Sequence, residues 1–263
     1  MTIRELHRDR LADERRLPPE MTVALIHHAG GSAADFLPFV RHLPRRWRLL
    51  GLELPARYPS IARPACRTVD EAVGGMLGAL WPEVPGPFAV FGHSMGALLA
   101  YELARVLEKR GRPPVWLGLS AGAAPRLATG DLRHRWAHDH LVQFMRRRGA
   151  APGDLWQEPH ILERMEHCLG NDLAIVDTYE YRAGPPLSTA MSVYSGSADS
   201  VVGDAELKPW VGHARGDIAF HTWPGGHFYL FERVDEVCAR IAADIRGAMA
   251  PHLAQGTRAC LSR

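Results

Sequence analysis

Short apolar runs alternate with amphipathic stretches along most of this chain. The runs at 22–27, 47–54, 88–91, 115–120, 190–194 and 218–223 have strand length. Near-continuous apolar character predicts parallel strands buried on both faces. Between them the helical period recurs at 35–43, 95–110, 206–211 and 228–250. A further helix is predicted over 69–80, opened by the capping box Thr68-Val69-Asp70-Glu71. Strands alternating with helices predict an α/β fold with a mostly parallel sheet covered on both faces. Residues 1–20 are polar and read as a leader, and residues 251–263, from Pro251 onward, read as a frayed tail. Residues 125–186 show no strand pattern, only helical stretches near 131–147, 159–168 and 171–181. A segment this long is no simple connection. It reads as a helical insertion interrupting a core made of 21–124 and 187–250.

Composition narrows the class. An apolar content of 46% is ample for the core of a domain of this size, and a net charge of +2 gives no global pull toward nucleic acid. No apolar run approaches the ~20 residues of a membrane span. The charged residues 1–16 lack the apolar centre of a secretory signal. Cys66, Cys168, Cys238 and Cys260 are scattered with no C-x-x-C pair. Free thiols in a cytoplasmic protein are therefore expected.

The most informative chemistry is Gly92-His93-Ser94-Met95-Gly96, a G-x-S-x-G between an apolar strand and a helical pattern. Strand, sharp turn and helix with serine at the apex is the nucleophile elbow of α/β-hydrolases. A serine hydroxyl needs a base. His227, on the Gly-rich loop after the last predicted strand, is the chosen base over His213 and His221. The orienting acid is Asp199, on the loop after the strand at 190–194. Asp204 remains an alternative, whereas Asp217 precedes a strand and lies at the wrong edge. Two N–H donors are needed for the tetrahedral oxyanion. They are assigned to Met95 and to Ala29, in the turn His28-Ala29-Gly30-Gly31. A phosphate cradle there is disfavoured, because G-x-G-x-x-G and G-K-[ST] are both absent.

With these residues in place, the chain resembles the type II thioesterases, stand-alone α/β-hydrolases that serve polyketide synthases and nonribosomal peptide synthetases. The resemblance spans about residues 22–250. It rests on His28-Ala29-Gly30-Gly31-Ser32-Ala33, Leu54-Pro55-Ala56-Arg57, Phe91 through Leu99, and Gly225-Gly226-His227-Phe228-Tyr229-Leu230. It implies Ser94, Asp199 and His227 as a triad, Ala29 and Met95 as the oxyanion hole, and the insertion as a lid over an acyl pocket. It also implies hydrolysis of acyl thioesters on the phosphopantetheine arm of acyl or peptidyl carrier proteins, in an editing role, with no metal or cofactor. Programmed product release or acyl transfer by the same triad is the alternative, with a small-molecule esterase as another. The chain departs from the family pattern at His27, where proline is usual, at Ala56, where glycine is usual, and in the acid loop, which lacks paired acidic residues.

Within the insertion, Arg133, Arg135 and Arg146-Arg147-Arg148 form either a carrier-docking patch or a solvated face. His134, His138 and His140 have helical spacing but no carboxylate or cysteine to complete a metal set. Trp136, Phe144, Met145 and Trp156 suit an acyl pocket or the insertion's own packing.

Overall fold

The apolar runs form β2 (Met21–Ile26), β3 (Trp47–Glu53), β4 (Phe88–His93), β5 (Trp116–Ser120), β6 (Ala190–Gly196) and β7 (Ile218–Trp223). A further strand, β1 (Thr2–Leu6), precedes them. The computed structural model describes residues 1–6, 18–57, 63–128, 140, 141, 143 and 159–261. These strands make one sheet in the order β1-β3-β2-β4-β5-β6-β7. All neighbours are parallel except β1 and β3. This is the mostly parallel α/β sheet expected from the strand–helix alternation, in the α/β-hydrolase architecture that the elbow and the family resemblance implied.

β2 and β4 are buried along their whole length because both faces of the sheet are covered. Side chains alternate across the sheet, so β2 supplies two cores at once. Ala24 and Ile26 join Leu98, Leu99 and Leu103 of the elbow helix Met95–Lys109 and Met76 and Leu80 of the helix Val69–Leu80. Val23 and Leu25 join Phe36 and Phe39, with Val237, Ile241 and Ile245 of the C-terminal helix Val234–Leu261. The insertion contributes the helix Pro159–Asp177, whose Ile175 enters the first core.

Several expected boundaries move. The leader is corrected in part: Thr2–Leu6 pairs antiparallel with β3. An edge strand with a wet face tolerates polar side chains, and its charges are answered by neighbours. Arg4 pairs with Glu53 at 3.7 Å and Arg48 Nε donates to Glu5 at 3.0 Å. The expected tail is also corrected, since the last helix runs through Pro251 to Leu261. Proline costs a helix interior about 3 kcal/mol. Its φ is nonetheless helical, and good helix formers follow it. The stretches at 159–168 and 171–181 fuse into one helix that ends at Asp177. The pattern at 228–250 divides into a turn of helix, Tyr229–Glu232, and the long helix after Arg233. The stretch at 131–147 falls outside the described residues except for 140, 141 and 143, as do the arginines and aromatics singled out in the insertion. Among the described residues, Cys66, Cys168 and Cys238 take part in no disulfide.

Candidate active site

The elbow forms because β4 must reverse into a helix within one residue. Ser94 takes φ 57° and ψ −119° at that apex, a conformation a non-glycine residue adopts only under constraint. Both flanking glycines are sterically required. A β-carbon on Gly92 would lie 1.9 Å from the Gly96 carbonyl oxygen, and one on Gly96 would lie 2.2 Å from that of Ile26. The elbow thus packs directly on the end of β2. Ser94 N–H donates to the Ser120 carbonyl at 2.7 Å, tying the apex to β5.

Two further loops at the same sheet edge bring the other groups in. Ser197 N–H donates to Trp223 O at 2.8 Å and Ala198 N–H to Gly225 O at 2.9 Å, lacing the acid loop to the histidine loop. A side chain at Gly196 would lie 2.3 Å from Gly226 O, so this approach demands glycine there. The result is a continuous chain of hydrogen bonds. His227 Nδ1 lies 2.8 Å from Asp199 Oδ2, and His227 Nε2 lies 2.9 Å from Ser94 Oγ. With Nδ1–H donating to the carboxylate, Nε2 presents its lone pair to the serine hydroxyl. Asp199 Oδ1 accepts from the N–H groups of Val201 and Val202 at 2.7 and 3.2 Å. Burial opposes ionisation of Asp199, but the His227 hydrogen bond and charge and these two N–H donors outweigh it. They hold the carboxyl below its usual range.

The competing residues are occupied elsewhere. Asp204 is exposed and pairs with Lys208. His213 is buried against the Tyr101 hydroxyl at 2.8 Å, and His221 Nε2 meets Asp244 at 3.0 Å. Met95 heads the elbow helix, where its N–H has no intrahelical acceptor. Ala29 lies in the turn closed by Gly31 N–H to His28 O at 3.0 Å, and it packs against the cluster that contains Met95.

Two of the three departures from the family pattern have a local setting in the structure. His27 Nδ1 lies 2.8 Å from His28 O while its Nε2 accepts from Leu54 N–H at 3.4 Å, bridging the ends of β2 and β3. Ala56 keeps the left-handed backbone that glycine favours, with φ 63°.

Sequence reading did not identify the support beneath His227. The His93 ring sits 5.2 Å from the His227 ring, with Nδ1 2.9 Å from Ser120 Oγ, which in turn is 2.8 Å from Tyr229 Oη. Nor did it identify Asp172, which pairs with Arg57 and accepts Gly30 N–H at 2.8 Å. His93 lay inside the elbow motif and Arg57 inside the P-A-R segment, but Asp172 carried no local signal. Burial pushes the Asp172 carboxyl up against the pull of Arg57 and the Gly30 N–H. Among the described residues no group of three or more His, Cys, Asp or Glu side chains could hold a metal ion. Among them, too, no helix is long and apolar enough to cross a membrane.

His27, His28 and His93 are held neutral chiefly by burial. Arg57 adds to this at His27 and, together with the neighbouring His227, at His28, and His227 adds to it at His93. The His28 value falls to about 3. Unfolded, each titrates near 6.5. Below that pH the unfolded chain binds protons the native state refuses, so stability falls as pH drops from about 6.5 toward 5. Each histidine contributes a slope of about 1.4 kcal/mol per pH unit once its unfolded form is fully protonated. Asp35 and Asp172, whose carboxyls burial pushes up, act with the opposite sign and flatten the acid end. Urea unfolding at pH 7.5, 6 and 5 measures the slope, and a flat profile would contradict neutral burial of these rings.

The fold and this hydrogen-bonded chain define a serine hydrolase of the α/β-hydrolase class. A family model described as Thioesterase domain matches residues 21–245, and the chain belongs to that family. Thioesterase PikA5 of Streptomyces venezuelae is 31% identical over 250 residues, covering 92% of this chain and 88% of that protein. Gramicidin S biosynthesis protein GrsT of Aneurinibacillus migulanus is 26% identical over 231 residues, covering 87% and 90%. The type II thioesterase BorB from the borrelidin biosynthetic cluster superposes with a TM-score of 0.83 at 31% identity, covering 92% of this chain and 97% of BorB. The chain is therefore an enzyme that hydrolyses thioesters, as the four sequence motifs implied.

Proposed function

We propose that this enzyme cleaves acyl groups from the phosphopantetheine arm of acyl or peptidyl carrier proteins in a polyketide or nonribosomal peptide pathway, clearing misprimed or stalled chains. The observation that carries the chemistry is the hydrogen-bonded line from Asp199 through His227 to Ser94 Oγ, at 2.8 and 2.9 Å. The relatives named above support the substrate class.

In this mechanism His227 Nε2 takes the Ser94 proton as Oγ bonds to the thioester carbonyl carbon. The oxyanion is met by the N–H groups of Met95 and Ala29. Collapse breaks the carbon–sulfur bond, and the imidazolium returns the proton to the departing thiolate. A water molecule then attacks the acyl-serine with His227 as base. A second collapse frees the carboxylic acid and restores Ser94. Nucleophile, base, orienting acid and oxyanion donors all come from this chain, so the proposed reaction calls for no cofactor or metal. We place the enzyme with its synthase in the cytoplasm, in keeping with the reduced state of Cys66 and Cys238.

The test is release of free acid from carrier protein loaded with acetyl, propionyl or a long product-like chain, beside a matched oxygen ester. Broad turnover of the short thioesters is the expected result. Turnover confined to one long chain would replace editing with programmed release, and preference for the oxygen ester would replace both with an ordinary esterase.

A further inference from the structure

We propose that Asp172, on the insertion helix Pro159–Asp177, is the positioning residue that sets the conformation of the oxyanion turn. The inference rests on the reading of Ala29 as an oxyanion donor. The turn runs from His28 to Gly31 and is closed by Gly31 N–H to His28 O at 3.0 Å. Ala29 and Gly30 are its central residues. Gly30 has φ +78°, the value that a flipped central peptide requires at this position. A turn of this kind can invert its central peptide with little displacement of its ends. Its N–H then exchanges places with the Ala29 carbonyl.

Asp172 discriminates between the two orientations. Its Oδ2 accepts the Gly30 N–H at 2.8 Å. The inverted peptide would aim a carbonyl oxygen at that carboxylate. The same oxygen pairs with Arg57 Nη2, whose Nε donates to Gly31 O at 2.7 Å and whose Nη1 donates to Pro55 O at 3.2 Å. One buried ion pair therefore grips an N–H and a carbonyl on consecutive residues of the turn. The side chains of Asp172 and Arg57 are only 2% and 6% exposed. Leu169, one helical turn earlier, closes the other side, since a β-carbon on Gly30 would lie 3.3 Å from Leu169 Cβ. A buried pair of this sort is weak evidence for stability and better suited to fixing a conformation. Because Asp172 belongs to the insertion, the oxyanion turn takes its shape from that segment as well as from the sheet.

The experiment compares full-length wild type with Asp172→Asn, Asp172→Ala and the double variant Arg57→Met/Asp172→Leu. It measures hydrolysis of a propionyl-pantetheine thioester and inhibition by the matching trifluoromethyl ketone, which forms a tetrahedral adduct with Ser94. The double variant replaces the pair with apolar groups and so keeps the fold independent of an unpaired buried charge. Its expected kcat is roughly ten- to a hundredfold lower with KM unchanged, and ketone affinity falls in parallel. This loss is smaller than the ~10²–10³-fold cost of deleting an oxyanion donor outright. Asp172→Asn keeps an acceptor for Gly30 N–H and is expected to recover most of the rate, whereas Asp172→Ala is not. A folded double variant with wild-type kcat and ketone affinity would overturn the proposal, as would Asp172→Asn no better than Asp172→Ala. A wild type that neither turns over nor forms the ketone adduct would instead overturn the Ser94 reading beneath it.

Discussion

Ser94→Ala is expected to lower kcat for thioester hydrolysis by about 10⁴- to 10⁶-fold, on the scale seen when a triad nucleophile is removed. The protein should stay folded. Alanine keeps the same β-carbon at φ 57°, so the elbow carries the same backbone constraint, and the only atom lost is the Oγ that lies 2.9 Å from His227 Nε2. In the proposed mechanism, residual turnover would come from the N–H groups of Met95 and Ala29 and from binding. Asp199→Asn should cost about 10⁴-fold by a different route. The asparagine oxygen can continue to accept from Val201 and Val202, and its amide then faces His227 Nδ1. A donor there favours the wrong imidazole tautomer, with a proton on the nitrogen that should take one from Ser94. Single-turnover acid release, with thermal melting as a check on folding, separates the two variants. Wild-type turnover in Ser94→Ala would sink the covalent mechanism.

The elbow and the histidine and acid loops were legible because each function rests on a short local pattern at a strand end. Ser94 needs the glycines two residues to either side, and Asp199 and His227 each follow an apolar run within a few residues. The helix Pro159–Asp177 was legible for the opposite reason, as a helical stretch within a long break in the strand pattern. What stayed hidden depends on pairing across the chain. Asp172 is 115 residues from Arg57 and 142 from Gly30, and nothing around it in sequence marks its partners. The His93–Ser120–Tyr229 network joins three elements with no shared motif. β1 escaped because Thr2–Leu6 has too few apolar positions to read as a strand until β3 supplies its partner and Arg48 answers Glu5. Ala56 illustrates a third case: alanine stands where glycine is usual, and the backbone keeps the left-handed geometry at the cost of some strain.

The second large effect concerns the glycines of the elbow. Gly92→Ala and Gly96→Ala are each expected to destabilise the fold by more than about 4 kcal/mol, a large part of the ~5–15 kcal/mol available to a domain. The reason is contact with backbone. At Gly92 the new carbon would meet the Gly96 carbonyl oxygen at 1.9 Å, and at Gly96 it would meet the carbonyl oxygens of Ile26 and His27 at 2.2 and 2.7 Å. Neither collision can be relieved by a rotamer change. Relief requires β4, β2 and the elbow helix to separate, and these surfaces carry Ile26, Val90, Leu98 and Leu99 of the first core. Any folded fraction of Gly96→Ala would also displace the end of β2, and with it the turn bearing Ala29, so its kcat should fall further than its folded population. Gly78→Ala is the internal comparison. That glycine is exposed in the helix Val69–Leu80, and a β-carbon there meets nothing within 4 Å. Alanine should stabilise it by roughly 0.5–1 kcal/mol through lower backbone entropy in the unfolded chain. Urea unfolding of the three variants decides the matter. Similar midpoints for Gly96→Ala and Gly78→Ala would mean that the close approach of the elbow to β2 is not what holds Ser94 at its apex.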